Sequence, residues 1–354
     1  MKKLIVFLSF FILLILAACS DDQEKNAQDN GSKDNSIEEK EKAPESSNHK
    51  NTFPLTGIHT DQHVDNRIVS VMVNNHRKAR PQSGLSKADI VFEILAEGQI
   101  TRLLAIYQSE LPDVAGPVRS AREYYFELAN GYDSLYIYHG AADFVNDMIR
   151  NLGTEHLDGA VYDNNGRLFK RESFRNAPHN SYLQFGAVYD VAEEKGYDVR
   201  QEYEPLPFTT EEEADNVSGD PAANVEIDYS GSSLRYVVEY VYDENNGTYT
   251  RYSDGEKSTE LNSGQSITAD NIFIVETPHQ VIDDAGRRKI DLTSGGDAYL
   301  IQKGKIRHVQ WENRDGRIIP VKDGKPVKFV PGKTWINIVP STPGLTQSVT
   351  VSND

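Results

Sequence analysis

The single cysteine constrains this chain more than any other sequence feature. Cys19 is the only cysteine among 354 residues, so no disulfide can form within the chain and the folded part must rely on a hydrophobic core. It follows two lysines, an apolar run from Leu4 to Leu16 and two alanines. This order is typical of an export signal, and the run is about five residues too short for a membrane-spanning helix. We therefore expect residues 1–18 to be a signal peptide.

The letters LAAC, which end at Cys19, match the lipobox of bacterial lipoprotein signals. We expect cleavage before Cys19 and acylation of this residue with fatty acids such as palmitate; an uncleaved anchor with an incidental cysteine is the alternative. An acylated Cys19 leaves no thiol for metal binding or nucleophilic catalysis. Two acyl chains are enough for stable anchoring, so the expected location is the extracytoplasmic face of the cell membrane.

The charge of the chain restricts its partners. The formal net charge is -17, and it becomes -19 when the two lysines of the signal are removed. A strongly acidic protein is repelled by nucleic acid and by anionic membrane surfaces. We therefore expect no nucleic-acid partner, and a membrane link through the lipid on Cys19 alone.

The remaining chain divides by composition. Residues 19–52 are highly charged and almost free of apolar side chains, which predicts a disordered tether that holds the folded part roughly 30 Å from the membrane. Residues 53–204 alternate strand and helix patterns and predict a mixed α/β domain. Residues 205–224 are rich in proline and acid and predict a connector. Residues 225–346 predict a mainly antiparallel β-rich domain, followed by a tail at residues 347–354. The predicted fold class is α+β.

A hairpin in the first domain predicts an ion cluster. Gly98 stands where the first central residue of a type II′ turn is expected. If Glu97 pairs with Ile100, Arg102 lies diagonal to both Glu93 and Glu97 on one face of the sheet. We expect a structural cluster of these three charged side chains. A functional site is the alternative, because perturbed ionic networks occur in both settings.

The stretch GPVRSAREYYFELANG predicts a strand that leads into a helix. Ser120 followed by Glu123 fits a capping box, which makes Ser120 a cap rather than a nucleophile. Arg119 and Arg122 would then lie beside the positive end of the helix dipole, where a negative group is favoured. That group is either an internal carboxylate such as Glu93 or Glu97, or a carboxylate or phosphate of a ligand.

Two histidines at the ends of predicted elements extend this candidate site. His139 ends the strand pattern SLYIYHG, and His179 lies in a turn before a helix predicted to end at Gly196. Loop ends often present functional side chains, although a turn histidine with internal partners is the alternative for each. The candidate ligand-binding residues are Arg80, Arg119, Arg122, His139 and His179.

Motifs for cofactors are absent from the sequence. It contains no dinucleotide fingerprint, P-loop, zinc-protease motif or calcium loop, so no cofactor is expected. The segment HTDQHVDN alternates histidine and aspartate, but its place beside the tether favours a solvated loop over a metal site. No metal site is predicted.

Several phrases of the sequence resemble one family. They are the lipobox, the acidic tether, RPQSGL, ADIVFEILAEGQITR, GPVRSAR, YHG, APHNSY and PGKTWINIVP. Together they look like the YerB-like lipoprotein family of Gram-positive bacteria, and the match covers essentially all of the chain after Phe53. The resemblance implies an amino-terminal mixed domain and a carboxy-terminal β domain. It brings no catalytic assignment.

Two functions are compatible with these observations. The first is a lipid-anchored binding or accessory protein of the cell envelope that recognises anionic wall material or a wall-synthesis enzyme of the penicillin-binding type. The second is a wall-modifying hydrolase that takes its acid and base from Glu93, Glu97, His139 or His179. The missing catalytic motifs favour the first.

Overall fold

The computed structural model describes residues 50–229 and 236–353. The predicted signal peptide, Cys19 and the predicted tether up to residue 49 lie outside the described residues. Strands that precede residue 205 are β1 (Asn51–Thr52), β2 (His59–Thr60), β3 (Val69–Asn74), β4 (Ile90–Leu95), β5 (Thr101–Tyr107), β6 (Val114–Ala115), β7 (Leu135–Tyr138), β8 (His156–Asp158), β9 (Phe169–Arg171) and β10 (Ser181–Gln184).

Most secondary-structure elements in the second half of the described chain are strands. They are β11 (Asp220–Pro221), β12 (Asn224–Asp228), β13 (Val237–Asp243), β14 (Thr248–Ser253), β15 (Glu256–Lys257), β16 (Thr268–Ala269), β17 (Asn271–Thr277), β18 (His279–Val281), β19 (Arg288–Ile290), β20 (Gly296–Gln302), β21 (Lys305–Arg314), β22 (Arg317–Lys322), β23 (Lys325–Pro326), β24 (Thr334–Pro340) and β25 (Val349–Ser352).

The helices are few and short. Those described are α1 (Glu123–Gly131), α2 (Asp143–Asn151), α3 (Val188–Glu194), α4 (Glu211–Asp215) and α5 (Leu345–Ser348). The chain is therefore mostly β with few helices. None of the described helices is both long enough and apolar enough to cross a membrane.

One large sheet contains strands from both halves of the chain. Its order is β23-β22-β21-β20-β17-β24-β4-β5-β3-β7-β8, and β11 pairs with β21. Strand β24 runs parallel to β17 on one side and to β4 on the other. It thereby joins strands of the predicted first domain to strands of the predicted second domain in one hydrogen-bonded ladder.

Both faces of this sheet are covered. Phe92 shares an apolar cluster with Phe126 of α1 and Ile149 of α2, so these helices cover one face. On the other face Leu103 shares a cluster with Tyr240 of the six-stranded sheet, whose order is β15-β14-β13-β12-β25 with β16 paired to β14. Double coverage explains why every residue of β3, β4 and β5 is buried, and why these strands are nearly continuous apolar runs.

Three segments differ from the prediction. The predicted tail supplies β25, which pairs antiparallel with β12 because its valines alternate and point toward the core. The predicted connector packs against the fold: Leu206 is buried and Phe208 bridges to Phe329. The helix predicted between His179 and Gly196 begins only at Val188, since the segment before it forms β10 between β6 and β9.

The hairpin between β4 and β5 has the predicted turn but not the predicted register. Gly98 takes a φ of 60° and Ile100 N–H donates to Glu97 O at 3.2 Å. However, Ala96 N–H rather than Glu97 N–H donates to Ile100 O, so two residues lie opposite one, as in a β-bulge. The register therefore shifts by one residue, and Arg102 lies opposite Ile94.

Candidate functional site

Four segments that are distant in sequence meet at Arg119. Its backbone N–H donates to Met72 O at 2.9 Å, and its carbonyl accepts from His139 N–H at 2.9 Å. Its side chain reaches Pro178 O at 3.5 Å. The phrases GPVRSAR, YHG and APHNSY are thus neighbours in space, at the carboxyl end of β3.

Arg119 is half-buried and lacks a counter-charge. No carboxylate of the described chain lies within ion-pair distance of its guanidinium, and the contact with Pro178 O is at the limit of a hydrogen bond. Burial, and then the charge of Arg102, lower the pKa of Arg119 to about 10. Partial burial of an unpaired charge is unfavourable, so an anion placed beside this guanidinium would stabilise it.

Two histidines stack beside Arg119. The rings of His76 and His179 are 4.7 Å apart between centroids, with 26° between their planes. Asn74 Nδ2 lies 2.8 Å from His179 Nδ1, and Lys78 N–H donates to His76 Nδ1 at 3.1 Å. Burial lowers the pKa of both histidines, helped by the charge of Lys78 for His76 and by the neighbouring His76 for His179. We call the surface formed by these four residues and Arg119 the Arg119 surface.

Arg122 has an internal partner. Glu97 contacts the guanidinium of Arg122 and accepts from Arg102 at 2.7 Å. Helix α1 begins at Glu123 with Arg122 as its N-cap, so the predicted capping role of Ser120 is wrong. Ser120 lies two residues before the N-cap, where its carbonyl accepts from Arg102 at 2.8 Å. The negative group expected near this helix end is therefore Glu97, at least for Arg122.

Arg80 is also held within the fold. Its Nη1 donates to Asp254 at 2.8 Å, and its Nη2 donates to Asn75 O at 3.0 Å. Its guanidinium lies 5.1 Å above the ring centroid of Tyr236. Asp254 also pairs with Arg77 at 3.0 Å. These contacts orient Arg80 and leave little of it available to a ligand.

His139 faces a carboxylate of the fold. Its Nε2 lies 3.2 Å from Asp163 Oδ1, and its ring meets the Phe169 ring edge to face at 5.8 Å. Asp163 also pairs with Arg171 at 2.8 Å. The structure thus brings His139 to the Arg119 backbone, while its imidazole is engaged elsewhere.

The charges around the Arg119 surface do not balance. Each of the three carboxylates Glu97, Asp163 and Asp254 contacts two basic side chains. Arg119 and Lys78 have no carboxylate partner in the described part of the chain. In a chain with a net charge of -17, this region is locally positive.

The predicted cluster of Glu93, Glu97 and Arg102 is wrong for Glu93. The register shift places Glu93 on the opposite face from Arg102, where it is fully buried and pairs with Arg251 at 2.8 Å. Asn75 Nδ2 and Thr101 Oγ1 also donate to Glu93 Oε1, at 3.0 and 2.8 Å. Sequence reasoning missed Arg251, although the alternating pattern of β14 places its position inward.

This arrangement does not favour the hydrolase alternative. Glu93 and Glu97 contact arginines on different faces of the sheet, so they do not form the facing acid and base that glycoside hydrolysis requires. A cavity of about 510 Å³ lies elsewhere and is lined by Glu123, Glu127 and His279, among others. Within the described ranges no group of three or more potential metal ligands is placed to hold an ion.

Comparison with known families identifies the class of protein. A family model described as "Protein of unknown function (DUF3048) N-terminal domain" matches residues 55–198, and the model of the corresponding C-terminal domain matches residues 225–336. The chain therefore belongs to the DUF3048 family. The two matched regions fit the predicted arrangement of two domains.

Relatives of this chain narrow the class to YerB-like proteins. The chain is 48% identical over 306 residues to YerB of Bacillus subtilis (strain 168), which is provisionally named a lipoprotein; the match covers 86% of this chain and 91% of that protein. The crystal structure of YerB from Bacillus subtilis superposes with a TM-score of 0.79 at 47% identity, over 86% of this chain and 100% of that chain. The resemblance to the YerB-like family is confirmed.

Proposed function

We propose that the chain is anchored through acyl groups on Cys19 at the extracytoplasmic face of the membrane, where it acts as a binding or accessory protein of the cell envelope. The name of the relative YerB supports lipid anchoring, and the LAAC pattern supports Cys19 as the attachment point. The bound material is anionic, and it belongs to the wall or to a wall-synthesis enzyme of the penicillin-binding type.

The observation that carries this proposal is the unpaired, half-buried Arg119. The neighbouring arginines Arg80, Arg102 and Arg122 all contact a carboxylate, whereas Arg119 has none in the described chain. Arginine binds carboxylates and phosphates through a planar fork of N–H donors. Carboxylates of wall peptides and phosphates of teichoic acids are the anions expected on the extracytoplasmic side of the membrane.

Cosedimentation with purified wall material tests the proposal. Arg119→Ala should reduce the bound fraction of the full-length protein about tenfold or more, since a charge-assisted hydrogen bond contributes about 1.5–3 kcal/mol. Arg200→Ala is a matched control, because Arg200 is an exposed arginine that pairs with Asp65 at 2.9 Å. Equal binding by wild type and Arg119→Ala would overturn the proposal.

A further inference from the structure

Hydrogen bonds fix the tautomers of the two stacked histidines. The backbone N–H of Lys78 can only donate, so His76 Nδ1 is an acceptor without a proton. The Asn74 amide is oriented by its Oδ1, which accepts from the backbone N–H of His76 at 3.0 Å. Its Nδ2 therefore faces His179 Nδ1 and donates to it. Both neutral rings then carry their proton on Nε2.

The two Nε2–H groups are donors without a protein acceptor. No side-chain or backbone oxygen of the described chain accepts from either of them. Their neighbours also oppose a positive charge on the rings, because a proton on Nδ1 would face the N–H of Lys78 or of Asn74. The charged or titratable groups that act most strongly on the two rings are basic: Arg77, Lys78, Arg80, Arg119 and Arg175, together with His76 acting on His179.

We infer that His76 and His179 complete the anion site of Arg119 as two neutral N–H donors, and that the group bound there is a tetrahedral oxyanion, a phosphate or sulfate group. This inference rests on the proposed function and adds the ligand chemistry to it. Arg119 supplies the positive charge. The imidazoles supply directed donors that do not need to gain a proton first.

The stacking of the rings favours a tetrahedral group over a carboxylate. An Nε2–H bond lies in the plane of its own ring, so two stacked rings offer their donors at two different levels. A planar carboxylate held by the guanidinium fork has both oxygens in one plane. A phosphate or sulfate group has oxygens outside any single plane, and it can accept from the fork and from both rings.

Asn74 is a positioning residue in this arrangement. It contacts both histidines, through its Oδ1 and its Nδ2, and it is itself buried at the end of β3. Asn74→Asp would replace the Nδ2 donor with an acceptor. The His179 ring would then carry its proton on Nδ1, and its Nε2 would cease to be a donor while neutral.

Isothermal titration calorimetry of the full-length lipid-bearing protein in detergent tests the inference with sulfate, inorganic phosphate and acetate at pH 7.5. Sulfate and phosphate should bind at least about tenfold more tightly than acetate, because acetate cannot use both imidazole donors. His76→Phe and His179→Phe keep an aromatic ring but lack the donor, and each should weaken sulfate binding about three- to tenfold, the effect of one hydrogen bond. His308→Phe, at an exposed histidine away from the site, should bind sulfate like wild type.

Proton uptake provides a second readout. Sulfate stays fully ionised, so its binding heat at pH 7.5 should be the same in two buffers of different ionisation enthalpy if the rings remain neutral. In Asn74→Asp the binding heat should become dependent on the buffer, because a carboxylate beside His179 favours the imidazolium form. Thermal melting of each variant confirms that the fold is retained.

The outcomes separate this inference from the proposed function. Binding that depends on Arg119 but is unchanged in both Phe variants would overturn the role of the histidines and leave the proposed function intact. Acetate binding as tight as sulfate binding would overturn the preference for a tetrahedral group. Proton uptake by the wild-type protein on binding sulfate would overturn the inference that the two histidines bind the anion in their neutral form. Absence of any Arg119-dependent anion binding would overturn both proposals.

The source of the oxyanion is resolved by competition. Soluble glycerol phosphate that displaces sulfate, with no retention of the full-length Cys19→Ala protein by phosphatidylglycerol vesicles, indicates the phosphate of a wall polymer. Retention by vesicles that sulfate reverses indicates a lipid headgroup. Each of these results supports the same site chemistry. If neither glycerol phosphate nor the vesicles compete with sulfate, a phosphate ligand is contradicted.

Discussion

Arg251 of β14 donates to the carboxylate of Glu93 on β4 at 2.8 Å, between the large sheet and the six-stranded sheet. The two side chains are 3% and 0% exposed. They are 158 residues apart in sequence, and the Arg251 guanidinium also lies 4.6 Å above the Trp335 ring. This pair therefore connects the two halves of the chain through a buried contact.

Removal of Arg251 should be strongly destabilising. We expect Arg251→Met to reduce the free energy of unfolding by about 3–5 kcal/mol, because Glu93 would remain buried without its counter-charge. Glu93→Gln in the same chain should restore part of that loss. Urea denaturation measures all three proteins. Arg167→Met is the matched control, since the Arg167–Glu194 pair has the same 2.8 Å geometry but is exposed, and its stability should equal that of wild type.

A small effect of Arg251→Met, comparable to that of the control, would contradict this prediction. It would mean that water reaches Glu93, or that Asn75 and Thr101 suffice to stabilise the carboxylate.

The strands of the core could be predicted from the sequence, but their register could not. The runs that form β3, β4 and β5 are rich in β-branched and apolar residues, which indicates strands independently of the rest of the chain. Their register depends on a bulge in which Ala96 rather than Glu97 bonds Ile100. A bulge changes the pairing by one residue and moves every later side chain to the other face, and a two-residue turn pattern does not reveal it.

For the candidate site as well, the positions of several residues could be predicted from the sequence, but their partners could not. Arg119 and His179 stand at element boundaries, which is a local signal. Arg80 stands at such a boundary too, but its partner Asp254 is 174 residues away, and no local pattern indicates that pairing. His76 was missed, although it follows a buried strand in the same way that His139 does.

Arg119 should contribute little to stability, in contrast to Arg80. Arg119→Ala removes a charge that has no described carboxylate partner and that Arg102 repels, so we expect an unchanged or slightly higher melting temperature. Arg80→Ala removes one of the two arginines paired with Asp254 and the cation over the ring of Tyr236, and it should cost about 1–3 kcal/mol. Thermal and urea unfolding of both variants check this. A loss for Arg119→Ala as large as that for Arg80→Ala would indicate a structural arginine rather than a binding one.

Cys19 should carry the lipid. Cells that express the full chain and are fed a radioactive fatty acid should label the wild-type protein, whereas Cys19→Ala should be unlabelled and partly released into the medium. We expect this because Cys19 is the only thiol of the chain. The alternative anchor, the apolar run from Leu4 to Leu16, is too short to span the bilayer. Ser20→Ala is the control and should be labelled like wild type. Equal labelling of Cys19→Ala would contradict the assignment.

His279 should make the fold sensitive to mild acid. Burial lowers the pKa of His279 to about 4 from its ordinary value of 6.5, and its Nδ1 bonds Thr277 O at 2.9 Å. Between these two pH values the unfolded chain binds a proton that the folded chain does not, so stability falls as the pH falls, by up to about 1.4 kcal/mol per pH unit. Above pH 6.5 this contribution to stability is fully present. His279→Gln should therefore lose less stability than wild type between pH 7 and pH 5 in urea denaturation, and the comparison cancels the titration of all other groups. His63→Gln, at an exposed histidine, is the control and should keep the wild-type dependence of stability on pH. If wild type and His279→Gln show the same pH dependence, the prediction is contradicted.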